Sequence, residues 1–316
     1  MGKMIVLGLD AFHEDLLEHT PFLQELYENN PSGPLTSTTP PVTAPAWASF
    51  QTGKNQGKHG VYDFVRYDED YQMEFLDGKS LRAESFYERL DRTGKDCFLF
   101  NLPFSLPARI EGDIVPSWLD SNDTDPVPAD LYERFDIRPP QYPNLDGDRI
   151  ENIEEMRDCF EHNRTQFFSV LQADDHDFLF QLVSITDWVQ HNGFRELQRE
   201  PSSQVAKQTV GMLSTVDEYV KQVYESIEPE DELLILSDHG FKVFEGHLFI
   251  NDWLQDQGLL KTGGKSLNDK ASEERQTVDI GVVGRFIARQ EWLYPILRVI
   301  KNQYLTKHPR LAVSAA

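Results

Sequence analysis

Three aspartates each follow a short apolar run. Asp10 closes Met4-Ile-Val-Leu-Gly-Leu9, Asp187 follows the stretch from Phe178 to Ile185, and Asp238 follows Glu232-Leu-Leu-Ile-Leu236. Runs this short and this apolar read as buried strands of a parallel sheet. In an open α/β sheet the carboxyl ends of the strands form the edge where ligands bind. A single strand-end Asp is ordinarily a helix cap or a turn residue. Three on one edge repel one another and call for cations. Histidines stand beside them. His191 is four residues after Asp187, so one turn of helix puts both on one side. His239 adjoins Asp238, and His247 follows Gly246. The set offers oxygen and nitrogen ligands that suit Zn²⁺ or Mn²⁺. His13, His19, His162, His176 and His308 stand apart and read as core or surface residues.

The segment Thr39-Pro-Pro-Val-Thr43-Ala-Pro-Ala-Trp-Ala-Ser-Phe50 supplies a hydroxyl nucleophile. Thr43 takes the N-cap position of an expected helix. Pro45 falls in the first turn, where its missing N–H costs nothing. A hydroxyl there faces unsatisfied N–H groups and the positive end of the helix dipole, which favours a phosphate. A neighbouring metal ion would lower the hydroxyl's pKa.

The elements that must position these groups alternate. Helices are expected over Leu16 to Tyr27, from about residue 46, over Ser80 to Leu90, over Glu151 to Leu171 and over 203–225, with a further strand at Cys97-Phe-Leu-Phe100. Strands alternating with helices predict a doubly wound, mostly parallel sheet with helices on both faces. Leu102 to Asp148 is rich in Pro and Asp and reads as a small cap or insertion. At about 150 residues per domain, a chain of 316 residues makes two domains or one large α/β domain. We expect a catalytic domain over 1–258, with the cap at about 102–148, and a helical extension over 259–316.

Composition narrows the function. Hydrophobic residues make up 39% of the chain, enough for a core. Cys97 and Cys159 are the only cysteines, which excludes a disulfide framework. The net charge of −23 argues against nucleic acid as a partner. The first apolar run is too short for a signal peptide and no stretch is long enough to span a bilayer, so a cytoplasmic location is expected. Between Arg285 and Ala316 basic residues outnumber acidic ones and alternate with Phe286, Ile287, Trp292, Leu293, Ile296 and Leu297. Such a tail either packs on the acidic body, which is the favoured reading, or lies on an anionic membrane surface.

Taken in order, Gly8-Leu-Asp10, Thr43-Ala-Pro-Ala-Trp47, Thr52-Gly53 with His59-Gly60-Val61, Thr186-Asp187 with His191, and Ser237-Asp238-His239-Gly240-Phe241 resemble the type I phosphodiesterase/nucleotide pyrophosphatase family of the alkaline phosphatase superfamily. The resemblance spans roughly residues 5–250. It implies hydrolysis of a small-molecule phosphate ester (a nucleotide, nucleotide-sugar or lipid-linked phosphate) with two divalent ions, usually zinc. One ion would be held by Asp10, Asp238, His239 and the Thr43 oxygen, the other by Asp187, His191 and His247. Thr43 would be phosphorylated and then released by water. Many relatives carry an Asn shortly after the His-Gly pair, whereas this chain reads Tyr62-Asp63-Phe64. The Ala44 N–H, Lys54 and Lys58 are the candidates for the oxyanion contact. Within the superfamily, a sulfatase needs a Cys or Ser where Thr43 stands, and Trp47 replaces its Arg. A phosphomonoesterase, a phosphomutase and a non-catalytic binding protein on the same scaffold are the other readings.

Overall fold

The computed structural model describes residues 2–69, 73–120, 125–173, 176–244, 246 and 248–260. In chain order the elements are β1 (Met4–Leu9), α1 (Pro21–Asn29), α2 (Thr43–Thr52), α3 (Gln56–His59), β2 (Val65–Tyr67), β3 (Met73–Phe75), α4 (Phe86–Arg92), β4 (Cys97–Phe100), β5 (Asp113–Val115), α5 (Leu131–Arg134), α6 (Arg149–Ala173), β6 (Phe178–Val183), α7 (Ile185–Arg199), α8 (Gln204–Ser226), β7 (Glu232–Leu236) and α9 (Ile250–Asp256). The main sheet runs β5-β4-β6-β1-β7, with every pairing parallel.

Alternation along the strands divides the core into two layers. Val6, Leu99 and Phe180 face one side, where Trp47 of α2 packs edge-on against Phe180 with ring centroids 5.6 Å apart. Phe98 and Phe100 face the other, where Phe167 of α6 lies 6.0 and 6.3 Å from them. Gln181 also points to that side and accepts a hydrogen bond from the Tyr219 hydroxyl of α8. β4 and β6 are buried along their whole length, and this explains why Gln181 is the one polar residue in the two strands. Gly8 is required on β1 because a Cβ there would sit 2.4 Å from the Trp47 ring. Burying a large side chain of this kind contributes about 1.5–3 kcal/mol.

The edge of the sheet away from the aspartates is pinned by charge. His176 Nε2 lies 2.7 Å from Asp113 Oδ2, and Arg134 also binds that oxygen. Burial alone would raise the Asp113 pKa. The His176 and Arg134 hydrogen bonds, with their charges, outweigh it and hold the carboxyl below its ordinary value.

Some expected boundaries move. The expected helix from Ser80 to Leu90 begins instead at Phe86, where Ser85 and Glu88 form a reciprocal cap, and a 3-10 turn covers Gly78–Ser80. The strand after Phe178 ends at Val183, because α7 begins two residues later. The segment from Leu102 to Asp148 includes β5, which extends the main sheet beside β4.

The chain divides into two compact units, Met1–Val65 with Phe75–Lys242, and Arg66–Glu74 with Val243–Ala316. In the second, Arg66 and Glu74 pair across β2 and β3 at 2.8 Å. Residues 261–316, and with them nearly all of the expected helical extension, lie outside the described residues. Among the described residues no helix is long and apolar enough to cross a membrane.

Candidate active site

Register puts the three aspartates on one edge. Leu9 pairs with Val183 and Gly8 with Leu236, so the chain leaves β1, β6 and β7 at the same level. Asp10 comes next after β1, Asp187 sits in the first turn of α7, and Asp238 lies two residues beyond β7. All three are buried, at 1%, 4% and 7% exposure.

Asp10, Asp238 and His239 offer ligand atoms that all lie within 4.8 Å of one another. His239 Nε2 is 3.6 Å from Asp10 Oδ1 and 3.5 Å from Asp238 Oδ2. The other nitrogen of that ring, Nδ1, donates to the Gly240 carbonyl at 2.9 Å. This fixes the tautomer that leaves Nε2 available as a ligand, as the outer contacts of metal-binding histidines commonly do. On α7, His191 Nε2 stands 3.3 Å from Asp187 Oδ1, and the ring edge of Phe241 packs on His191 with centroids 4.7 Å apart.

The carboxylates are under-satisfied. Both Asp10 oxygens, Asp187 Oδ1 and Asp238 Oδ2 are buried with no hydrogen-bond partner among the described residues. Buried polar atoms are nearly always paired, so four orphaned anionic oxygens together mark a place built for cations. The titration behaviour agrees. Burial first, then the charges of Asp238 and Asp187, push Asp10 well above the usual carboxylate range. Burial also raises Asp238. Burial would raise Asp187, but His191 and His239 outweigh it and hold it low. Burial would lower His239, but Asp238 and Asp187 outweigh it and raise it. The donor set therefore fits divalent metal.

Thr43 joins this cluster across nearly two hundred residues of chain. Its Oγ1 lies 3.1 Å from His239 Nε2. The expected N-cap role is corrected: Val42 is the extended N-cap and Thr43 is the first residue of α2. The hydroxyl is thus turned toward His239 instead of back onto its own helix. Pro45 carries no N–H, and the first intrahelical bond is Ala46 N–H to Val42 O at 3.1 Å. That leaves the Thr43 and Ala44 amides at the positive end of the helix, close to the Thr43 hydroxyl.

Lys54 and Lys58 follow α2 in the chain. Lys54 follows the far end of α2, roughly 15 Å from Thr43 along a ten-residue helix. Lys58 is exposed on α3. Its neighbour His59 is buried: Nδ1 accepts from Val61 N–H at 3.2 Å, and Nε2 meets Ser49 Oγ at 2.9 Å. The His-Gly pair therefore anchors α3 to α2. His247 lies outside the described residues.

The structure adds residues that strand-end reasoning passes over. Thr186 Oγ1 donates to the Asp10 carbonyl at 2.6 Å, and Gln190 Nε2 donates to the carbonyls of Ala11 at 3.0 Å and Thr186 at 2.8 Å. Ser37 Oγ donates to the Asp238 carbonyl at 2.6 Å. Thr186 and Gln190 share the spacing of Asp187 and His191, one position earlier, and that shared spacing is the sequence signal for them.

Known proteins resemble this chain. The type I phosphodiesterase / nucleotide pyrophosphatase family profile matches residues 4–291. The chain is similar to ectonucleotide pyrophosphatase/phosphodiesterase 1 of Saccharomyces cerevisiae, with 23% identity over 281 residues, 81% of this chain and 36% of the yeast protein. Phosphonoacetate hydrolase from Sinorhizobium meliloti, solved with phosphonoacetate, superposes with a TM-score of 0.56 at 15% identity, over 82% of this chain and 62% of that one. Murine ectonucleotide pyrophosphatase/phosphodiesterase 5 gives 0.46 at 16% identity, over 75% and 57%. The chain thus spans about a third of the yeast protein and less than two thirds of the bacterial hydrolase. The shared fold is the mostly parallel, alkaline phosphatase-like sheet.

Proposed function

Because the chain belongs to the type I phosphodiesterase/nucleotide pyrophosphatase family, we propose that it is a metal-dependent hydrolase of phosphate esters, acting on a diester or pyrophosphate through Thr43. The observation that carries this is the Thr43 hydroxyl 3.1 Å from His239 Nε2, beside buried carboxylates with unpaired oxygens. When bound, two divalent cations would neutralise those carboxylates, favour ionisation of the hydroxyl and offset charge on the phosphoryl group. Asp10, Asp238 and His239 would hold one, and Asp187 and His191 the other, with His247 joining the second by family analogy.

The protein's own part is positional. Thr43 Oγ1 attacks phosphorus, its bond to phosphorus forms, and the ester bond to the departing group breaks. Water then cleaves the phosphorylated Thr43 and restores the hydroxyl. The amides of Thr43 and Ala44 face the phosphoryl oxygens from the helix end, where fixed dipoles cost no reorganisation during reaction. In this arrangement they supply the oxyanion contact that Tyr62-Asp63-Phe64 does not.

A panel of phosphodiesters, pyrophosphates and monoesters tests the reading, each assayed with added Zn²⁺ or Mn²⁺. It would include bis-p-nitrophenyl phosphate and nucleotide, nucleotide-sugar and lipid-linked phosphates. We expect hydrolysis of at least one diester or pyrophosphate, lost on chelation and restored by metal. Hydrolysis of monoesters alone would favour a phosphomonoesterase. Metal uptake with no turnover on any ester would favour a binding protein on this scaffold.

The role of the C-terminal segment is part of the same proposal. Leu248, Ile250, Trp253 and Leu259 are 78%, 49%, 49% and 72% exposed, so the residues leading into it are unusually apolar for a surface. The basic, apolar tail is read as packing on the acidic body, with an anionic lipid surface as the alternative. Full-length protein and a version ending at Gly284 are expected to sediment alike with anionic liposomes. Loss of sedimentation on truncation would favour the lipid surface.

A further inference from the structure

Gln190 is among the most buried polar residues of the chain, at 1% exposure, and it lies between the two metal-ligating positions of α7 without being one of them. Both of its N–H donors and its amide oxygen are engaged. Nε2 donates to the Ala11 and Thr186 carbonyls at 3.0 and 2.8 Å, and Oε1 meets His13 Nε2 at 3.0 Å. Two carbonyls facing one end of the amide fix its orientation, since only the NH₂ group can donate to both.

Ala11, its target, is strained. It is fully buried, is not glycine, and has φ 56, a backbone conformation that L residues rarely adopt. Such a residue persists only where its surroundings over-determine it, and it clusters at functional sites. Both of its backbone polar groups are held. The carbonyl accepts from Gln190, and the N–H donates to Asp238 Oδ1 at 3.1 Å. That second bond occupies one Asp238 oxygen and leaves Oδ2 toward His239. A continuous path therefore runs from α7 through the Gln190 amide and the Ala11 turn to Asp238. Thr186 makes a parallel link from α7 to the Asp10 carbonyl.

We propose that Gln190 is a positioning residue: by holding the Ala11 turn, it fixes the offset between the Asp187–His191 pair on α7 and the Asp10–Asp238–His239 group. This rests on the two-metal reading above. The two ligand groups lie on different elements: strand pairing sets the level of β1 and β6, while Gln190 and Thr186 tie the turn beyond β1 to α7. Each group separately keeps its own ligands. What Gln190 supplies is their simultaneous fit, so its loss should fall on the second ion bound more than on the first.

The test is a Zn²⁺ titration of metal-free protein against a competing chelator, read as two successive affinities, with Mn²⁺ paramagnetic resonance as a second measure of whether two ions sit close enough to couple. Gln190→Met keeps the shape and removes the donors. We expect it to weaken the second equivalent ten- to hundredfold, the range typical for outer contacts of metal ligands. The first should change less than threefold, and the coupled Mn²⁺ signal should fade. Ala11→Gly placed in the Gln190→Met background should recover part of the loss, because glycine adopts the left-handed turn without bracing. Tyr219→Phe serves as the structural control, since it breaks a buried hydrogen bond to Gln181 away from the site. It should leave both affinities unchanged even if it lowers Tm. If Gln190→Met is poorly folded, Gln190→Glu is read in its place, as it keeps the volume but presents an acceptor to both carbonyls. Unchanged second affinity in a folded variant overturns the proposal, as does an equal fall of both affinities, or no recovery with Ala11→Gly. A wild-type protein that binds fewer than two ions overturns the two-metal reading itself.

Discussion

Thr43→Ala is expected to lower kcat by at least three orders of magnitude while leaving metal content at the wild-type value. Loss of a covalent nucleophile removes the reaction path and not merely a contact, and each tenfold in rate corresponds to about 1.4 kcal/mol of barrier. The fold should survive. Thr43 is buried at the start of α2, its hydroxyl contacts His239, and Ala is the better helix former. The lost hydrogen bond should cost about 1 kcal/mol of stability. Thr43→Ser restores a hydroxyl and should recover most of the rate. Single-turnover kinetics with a chromogenic diester would separate the outcomes. A Thr43→Ala protein retaining more than about a tenth of the wild-type rate would exclude Thr43 as the nucleophile.

The second large effect is on metal. Wild-type protein is expected to carry two ions by elemental analysis, and Asp238→Asn and Asp187→Asn to carry about one each. Asn at 238 still offers an oxygen to the Ala11 N–H, so the change removes charge with little change of shape. In the metal-free protein the same carboxylates make stability depend on pH. Asp10 and Asp238 have folded pKa values above the ordinary 3.8. Above 3.8 the folded chain therefore binds more protons than the unfolded chain, and stability falls as pH rises through the raised values. His239, raised above 6.5, adds stability that is present below 6.5 and lost on passing its folded pKa. Asp187, held low, acts the other way: its contribution is present above 3.8 and lost on acidification. With two raised carboxylates and a raised imidazole against one lowered carboxylate, this cluster's contribution to the Tm of metal-free protein should fall as pH rises above 3.8 through the raised folded values. Metal needs deprotonated ligands, so the gain in Tm on adding Zn²⁺ should grow over the same range. A gain that is flat or shrinking with pH would argue against these residues as the ligands.

Much of this site was legible in the sequence because parallel strands advertise themselves. A mostly apolar run followed within a few residues by Asp gives a strand and a residue near its carboxyl end, and three such runs locate an edge. β7, at the side of the sheet, is only partly buried and not the buried strand expected of it. The helical spacing of Asp187 and His191 likewise needs no structure. What was not legible depends on distant partners. Thr43 is a good local N-cap, yet its hydroxyl goes to His239, and no window of neighbouring residues contains that competition. Gln190 looks like an ordinary helix residue until Ala11 is beside it. β5 is only three residues long and is lost among prolines. The start of α4 is a different case. Ser85-Phe-Tyr-Glu88 has the spacing of a capping box, and the helix start could have been set there from sequence alone.

The position of β1 between β6 and β7 has a consequence for synthesis of the chain. Met4–Leu9 is made well before its partners, pairing with Phe178–Val183 on one side and with Glu232–Leu236 on the other. During translation this apolar segment therefore waits with both edges open, a condition that invites pairing with other chains. Contacts of such large sequence separation also form slowly. A chain released before Glu232 would keep one edge of β1 bare and lack Asp238 and His239 together. Premature termination should thus yield aggregates and not a partly folded, soluble protein.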